Sequence, residues 1–159
     1  MALSADVPPA GPQSPALPND PTAASLYQEI ILSHYRAPHH KGMLAAPTAT
    51  VEHRNPLCGD VLTLHLRREH DTIVDAAFSA RACSITQATA SMLLDRVIGG
   101  SVADATALIG QIEGLIEGTA ADGAETLGDL RALASVTRFP ARKACVRLVT
   151  GALTQALSA

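Results

Sequence analysis

Cys58, Asp60, Cys83 and Cys145 are the residues whose types and placement point to chemistry in an otherwise plain chain. Cys58 and Asp60 share the tight segment Asn55-Pro56-Leu57-Cys58-Gly59-Asp60, Cys83 opens a helical stretch, and Cys145 lies one turn into the last helix. Three thiols and a carboxylate complete the ligand set of a tetrahedral, thiophilic metal. Within the turn, Gly59 lets the backbone bend so that Cys58 and Asp60 can face one point. Helix N-terminal dipoles favour thiolate at Cys83 and, more weakly, at Cys145. Arg142, one turn before Cys145, and the adjacent Lys143 add cations that would lower a thiol pKa or attract an anionic sulfur species.

Each cysteine also has an ordinary structural reading. Cys145 shares a stripe with Leu148 and Ala152, and a lone cysteine on an apolar helical face is most often a small core residue. Cys83 suits a helix start by its size alone. Cys58 fits such a reading less well, because Cys-Gly-Asp after Asn-Pro lifts a thiol out of a sheet. No Cys-x-x-Cys pair is present. Taken jointly, the residues favour metal or sulfur chemistry over three coincidental core cysteines.

Composition removes several alternatives. The 159 residues suit one domain with a modest core. Two Tyr, two Phe and no Trp leave little with which to stack bases. Twelve Lys and Arg against fifteen Asp and Glu give no electrostatic reason to bind nucleic acid. No apolar run approaches the ~20 residues of a membrane helix, so no membrane partner is expected. The N-terminus lacks the basic start and apolar stretch of a secretory signal. With an odd cysteine count arguing against a disulfide framework, a cytoplasmic location is expected.

The elements that must position the four residues follow from periodicity. Residues 1–24 carry six prolines and are expected to be a disordered Pro/Ala-rich tail, with one domain over 25–159. Ser25 is a plausible N-cap for a first helix that stops before Pro38, followed by a loop containing His39, His40, Lys41 and Gly42. Val51 to His53 reads as a short strand leading into the Cys58 turn. Leu62, Leu64 and Leu66 alternate with polar residues, as do Val74, Ala76, Phe78 and Ala80 with Ile73, Asp75, Ala77 and Ser79, which predicts an antiparallel hairpin. Ser84 to Ile98 is apolar or small nearly all round, as in a helix buried on several sides. Ser101 caps the next helix, Gly118 to Gly123 is a loop, Leu127 to Val136 is helical turn, and Pro140 opens the last helix. Strands first and helices afterwards predict an α+β fold: a small antiparallel sheet of about three strands with helices packed on one face.

Taken together, these segments resemble the U-type iron–sulfur cluster assembly proteins, over roughly Leu26 to Leu157. The anchors are Leu26-Tyr27 with Ile31 to Tyr35, Asn55 to Asp60, Cys83-Ser84-Ile85 with Ala90-Ser91-Met92, and Leu127-Gly128-Asp129-Leu130 through Phe139-Pro140-Ala141-Arg142 to Cys145. IscU-like scaffolds of that family carry a His before the third cysteine, where this chain has Ala144. The stretch from Gly118 through Phe139 resembles the insertion of the SufU branch. Pro38-His39-His40-Lys41-Gly42 departs from the family's usual Asn-Pro-Arg-Asn segment.

The resemblance implies a SufU-like protein holding zinc through Cys58, Asp60, Cys83 and Cys145. It also implies a sulfur relay of sulfurtransferase type, fed with persulfide sulfur by a SufS-type cysteine desulfurase and working with other SUF cluster-assembly proteins. In that scheme a desulfurase histidine replaces Cys58 on the metal, the freed Cys58 thiolate accepts the sulfur, and Arg142 is the arginine beside the site. A scaffold holding iron or an iron–sulfur cluster on the same ligands is the alternative. A hydrolytic zinc enzyme fits poorly, since such sites keep a position open for water. A purely structural zinc module is the remaining, plainer alternative.

Overall fold

The computed structural model describes residues 21–119 and 124–159. The expected tail therefore lies outside the described residues up to residue 20, as do residues 120–123 of the expected glycine loop. Helix α1 spans Pro21–Arg36, so Ser25 lies inside it and is not its cap. Proline is tolerated in the first turn because its missing N–H would find no partner there. Tyr27, Ile31 and His34, spaced by four and three, form its buried face.

Three strands follow, β1 (Ala49–Arg54), β2 (Val61–Glu69) and β3 (Thr72–Arg81), all antiparallel in the order β1-β2-β3. Leu62, Leu64 and Leu66 are fully or almost fully buried on one face of β2, facing the same side as Val51, Ala76 and Phe78. Each such leucine contributes about 1.5–3 kcal/mol on removal from water. Thr50, Glu52, Arg67 and Ser79 are exposed on the other face. The hairpin reading holds with one change of phase. Arg67 pairs with Asp75 but Arg68 pairs with Ile73, so β3 carries one extra residue. That bulge turns Ile73 into the core and leaves Val74 only partly buried, the reverse of strict alternation.

Helices α2 (Ser84–Val97), α3 (Val102–Glu117) and α4 (Pro140–Leu157) complete the fold, with a 3-10 segment over Ala124–Val136. The segment is broken at Gly128, where φ 59° and ψ −133° suit glycine. α4 lies over β1 and β2, and α2 over β3, while α1 packs on α2 and the 3-10 segment. The sheet therefore has helices on one face, as expected. α2 is buried from Thr86 through Leu94, which explains its lack of a polar side. Ser101 Oγ accepts the Asp104 N–H at 2.9 Å and caps α3, and Pro140 occupies the first turn of α4. Among the described residues, no helix is long and apolar enough to cross a membrane.

Candidate metal centre

Strand register brings the candidate ligands to one end of the sheet. The β1–β2 turn is closed by Asn55 N–H to Asp60 C=O and Gly59 N–H to Asn55 C=O, both 2.8 Å. The Asn55 side chain accepts the Leu57 N–H at 3.0 Å, and Gly59 takes φ 76°. Residue 60 must follow such a turn directly into β2, where Val61 pairs with Arg81. Cys83 therefore emerges from β3 next to Asp60. α4 crosses this end and delivers Cys145 from above.

The resulting distances are short. Cys58, Asp60 and Cys145 each place a ligand atom within 4.8 Å of the others. Cys83 Sγ lies 3.4 Å from Cys145 Sγ, and Cys145 Sγ lies 3.8 Å from Asp60 Oδ2. A tetrahedral zinc with ~2.3 Å sulfur and ~2.1 Å oxygen arms has edges of about 3.8 and 3.6 Å, so these separations suit one ion. Cys83 is outside the group of three that lie mutually within 4.8 Å and adjoins it through Cys145; soft sulfurs with one carboxylate suit such an ion chemically as well. Cys58, on the hairpin tip beside Leu57, and Cys83, at the start of α2, are both exposed, while Cys145 and Asp60 are buried.

Electrostatics sort the groups further. Burial pushes the Asp60 carboxyl up, but hydrogen bonds from the Thr86 hydroxyl (2.9 Å), the Cys83 N–H (3.3 Å) and the neighbouring thiols outweigh it, leaving the pKa below the ordinary value. Burial first, then the Cys83 thiol and the Asp60 charge, push Cys145 up to about 12. The expected lowering of its pKa by nearby cations is thus overturned. Lys143 Nζ instead pairs with Glu117 at 2.9 Å, and the Cys145 thiol donates to the Ala141 carbonyl at 3.4 Å. A buried thiol beside a carboxylate ionises only when a cation replaces its proton.

Arg142 stacks its guanidinium 4.5 Å over the Phe139 ring. It lines a cleft of about 660 Å³ together with Cys83, Ser84, Gln28 and Ile31, so it borders the thiol cluster from the α1 side. Thr86 was missed from sequence. Its signal was its place one helical turn after Cys83, which aims a hydroxyl back at the Asp60 carboxylate.

The chain matches the family described as NifU-like N terminal domain over residues 26–146. It belongs to that family. Among NifU-like relatives, a Streptococcus pyogenes protein named iron-sulfur cluster assembly scaffold protein IscU is 37% identical, covering 83% of this chain and 82% of the relative. A Bacillus subtilis protein named zinc-dependent sulfurtransferase SufU is 35% identical, covering 81% and 87%. The solved structure of a putative SufU scaffold from Fervidobacterium islandicum matches with TM-score 0.77 at 26% identity, over 84% of this chain and 97% of that one. A NifU-like N-terminal structure from Brucella abortus matches with TM-score 0.75 at 25% identity, over 83% and 92%. The NifU-like fold and the U-type resemblance therefore agree. All four cysteine and aspartate positions fall inside the matched span.

Proposed function

We propose that this chain is a zinc-holding sulfur relay in iron–sulfur cluster assembly, taking persulfide sulfur from a SufS-type cysteine desulfurase onto Cys58. The observation that carries this reading is an exposed thiol on a hairpin tip, Cys58, clustered with a buried thiol and a buried carboxylate. Cys58, Asp60, Cys83 and Cys145 would hold the metal, which when bound keeps thiols deprotonated at neutral pH.

The chain's own groups divide the work. Asp60 is fixed by Thr86 and the Cys83 N–H, and Cys83 and Cys145 are anchored to helices, so these three stay in place. Cys58 sits on a turn whose neighbour Leu57 touches water, so it can shift with little loss of packing. Its thiolate attacks the outer sulfur of the desulfurase persulfide. A new S–S bond forms on Cys58, the old one breaks, and its electron pair leaves with the desulfurase cysteine, so no oxidant is needed. Arg142 at the cleft edge offers fixed positive charge to the anionic sulfur in transit. Other SUF cluster-assembly proteins would take the sulfur onward, and a reducing compartment such as the cytoplasm suits the free thiols.

Ala144 before Cys145 and the segment between Gly118 and Phe139 support relay over scaffold. So does the Bacillus subtilis relative's name. The scaffold reading has the Streptococcus pyogenes relative in its favour, since soft cysteine ligands also hold iron–sulfur clusters. Metal analysis of protein purified without added metal separates the two. The relay reading expects about one zinc per four-ligand site; brown, iron-containing protein would replace it with the scaffold.

A further inference from the structure

A second group of metal-ligating side chains lies outside the thiol cluster. His34 on α1, His39 in the loop after it and Asp95 near the end of α2 each bring one ligand atom within 4.8 Å of the others. Asp95 lies roughly 18 Å along the helix from Cys83, at 1.5 Å per residue, so the two clusters are separate.

The surrounding hydrogen bonds have the form that metal sites take. His34 Nε2 donates to Asp129 Oδ2 at 2.9 Å, since a carboxylate can only accept. In the neutral ring Nδ1 then keeps its lone pair, which takes a hydrogen bond from the Ser91 hydroxyl at 2.8 Å. Ser91 Oγ in turn accepts the His39 N–H at 2.8 Å, which draws the loop onto α2. A histidine whose far N–H is held by a carboxylate is the usual arrangement for a ligating imidazole. On the other side, His39 Nδ1 lies 2.5 Å from Asp95 Oδ2, and His40 Nε2 holds Asp95 Oδ1 at 2.8 Å. Both carboxylate oxygens are thereby oriented. His34 is buried, whereas His39 and Asp95 reach solvent, so an ion can enter from one side and keep water.

We infer that His34 Nδ1, His39 Nδ1 and the Asp95 carboxylate form a second site for a divalent first-row transition metal, with Asp129 and His40 as positioning residues. Two imidazoles and one carboxylate suit zinc, cobalt or nickel, and not calcium or magnesium, which favour all-oxygen shells. Binding needs the Ser91 hydroxyl to rotate away from His34 Nδ1 and the His39 proton, which Nδ1 donates to Asp95, to move to Nε2; the ion then lies where those two protons were. The bound ion would tie the His39–His40 loop to α2, the helix that carries Cys83 at its other end.

Cobalt(II) is the probe, added to the full chain as purified. Thiolate-bound cobalt absorbs intensely in the near ultraviolet through sulfur-to-metal charge transfer, and nitrogen- and oxygen-bound cobalt does not. The site predicts one equivalent of cobalt bound without that absorption, read by equilibrium dialysis alongside the spectrum. His39→Ala and Asp95→Asn, both at solvent-accessible positions, should each abolish this sulfur-independent equivalent and leave any thiolate absorption as it was. Asp129→Asn should weaken it by about 10–100-fold, the usual cost of losing a carboxylate behind a ligating histidine. Absence of sulfur-independent binding at millimolar cobalt, or binding unchanged by His39→Ala and Asp95→Asn, would overturn the inference. Neither result depends on what the thiol cluster holds.

Discussion

At Asp60 a single oxygen, Oδ2, receives the Thr86 hydroxyl and the Cys83 N–H and faces the Cys145 thiol. Thr86 is fully buried, so its hydroxyl has no water to fall back on. Thr86→Val should therefore cost about 1.5–3 kcal/mol, the range for a hydrogen bond to a charged group. Denaturant unfolding of the metal-stripped protein reads this free of metal effects; an unchanged midpoint would show that Thr86 does not hold the carboxylate. Arg142→Ala, on the cleft rim, should keep its metal and its stability yet accept sulfur from the desulfurase more slowly, as single-turnover kinetics would reveal. Wild-type rates in that variant would remove Arg142 from the transfer step. The candidate ligands were legible in the sequence because thiols are rare and all three stood at element ends. Thr86 was not, since a threonine on a helix has many ordinary reasons to be there. The lowered pKa expected at Cys145 failed for a different reason. Burial of the thiol is the larger cause, and Lys143, which points where the helix turns it, pairs with Glu117 instead.

The turn between β1 and β2 is the element on which the centre depends. Gly59 sits at φ 76° with open space where a Cβ would go, so Gly59→Ala adds backbone strain and no clash. About 1–2 kcal/mol is the expected loss, from the left-handed conformation alone. Metal affinity should fall with it, because the strain is relieved by moving Cys58 away from Asp60; competition with a chelator measures that directly. Between α3 and α4, Lys143 holds the exposed Glu117 carboxyl below its ordinary pKa, helped by Arg147. A depressed carboxyl pKa contributes stability above the unfolded value and loses it as pH falls through the folded one. Glu117→Gln should therefore lower the melting temperature slightly at pH 7 and low salt, and not at all in strong acid or molar salt. A difference that persists in acid would mean that the side chain acts by packing. Strand alternation made the hairpin readable, but the bulge at Val74 was not. One inserted residue changes no composition and reveals itself only in the Arg67/Arg68 pairing. The links from His34 to Ser91 and Asp129 were equally hidden, because they join residues 57 and 95 positions apart.

Across the whole molecule, the helices cover one face of the sheet and the candidate ligands gather at one end of it. Asp60 and Cys145 are thereby tied to the core, Cys83 is exposed but anchored at the start of α2, and Cys58 is left on a tip that a partner can reach. This division is what a relay needs and what a structural zinc module does not. The fold was readable from sequence at this scale because, after α1, periodicity changed from strands to helices at a single place, Cys83. The most direct test is mass analysis of the full chain after incubation with a SufS-type desulfurase and cysteine. The relay account predicts a gain of one sulfur atom, located on Cys58 by peptide mapping and absent in Cys58→Ala. A chain that gains no sulfur, or gains it equally without Cys58, would contradict that account.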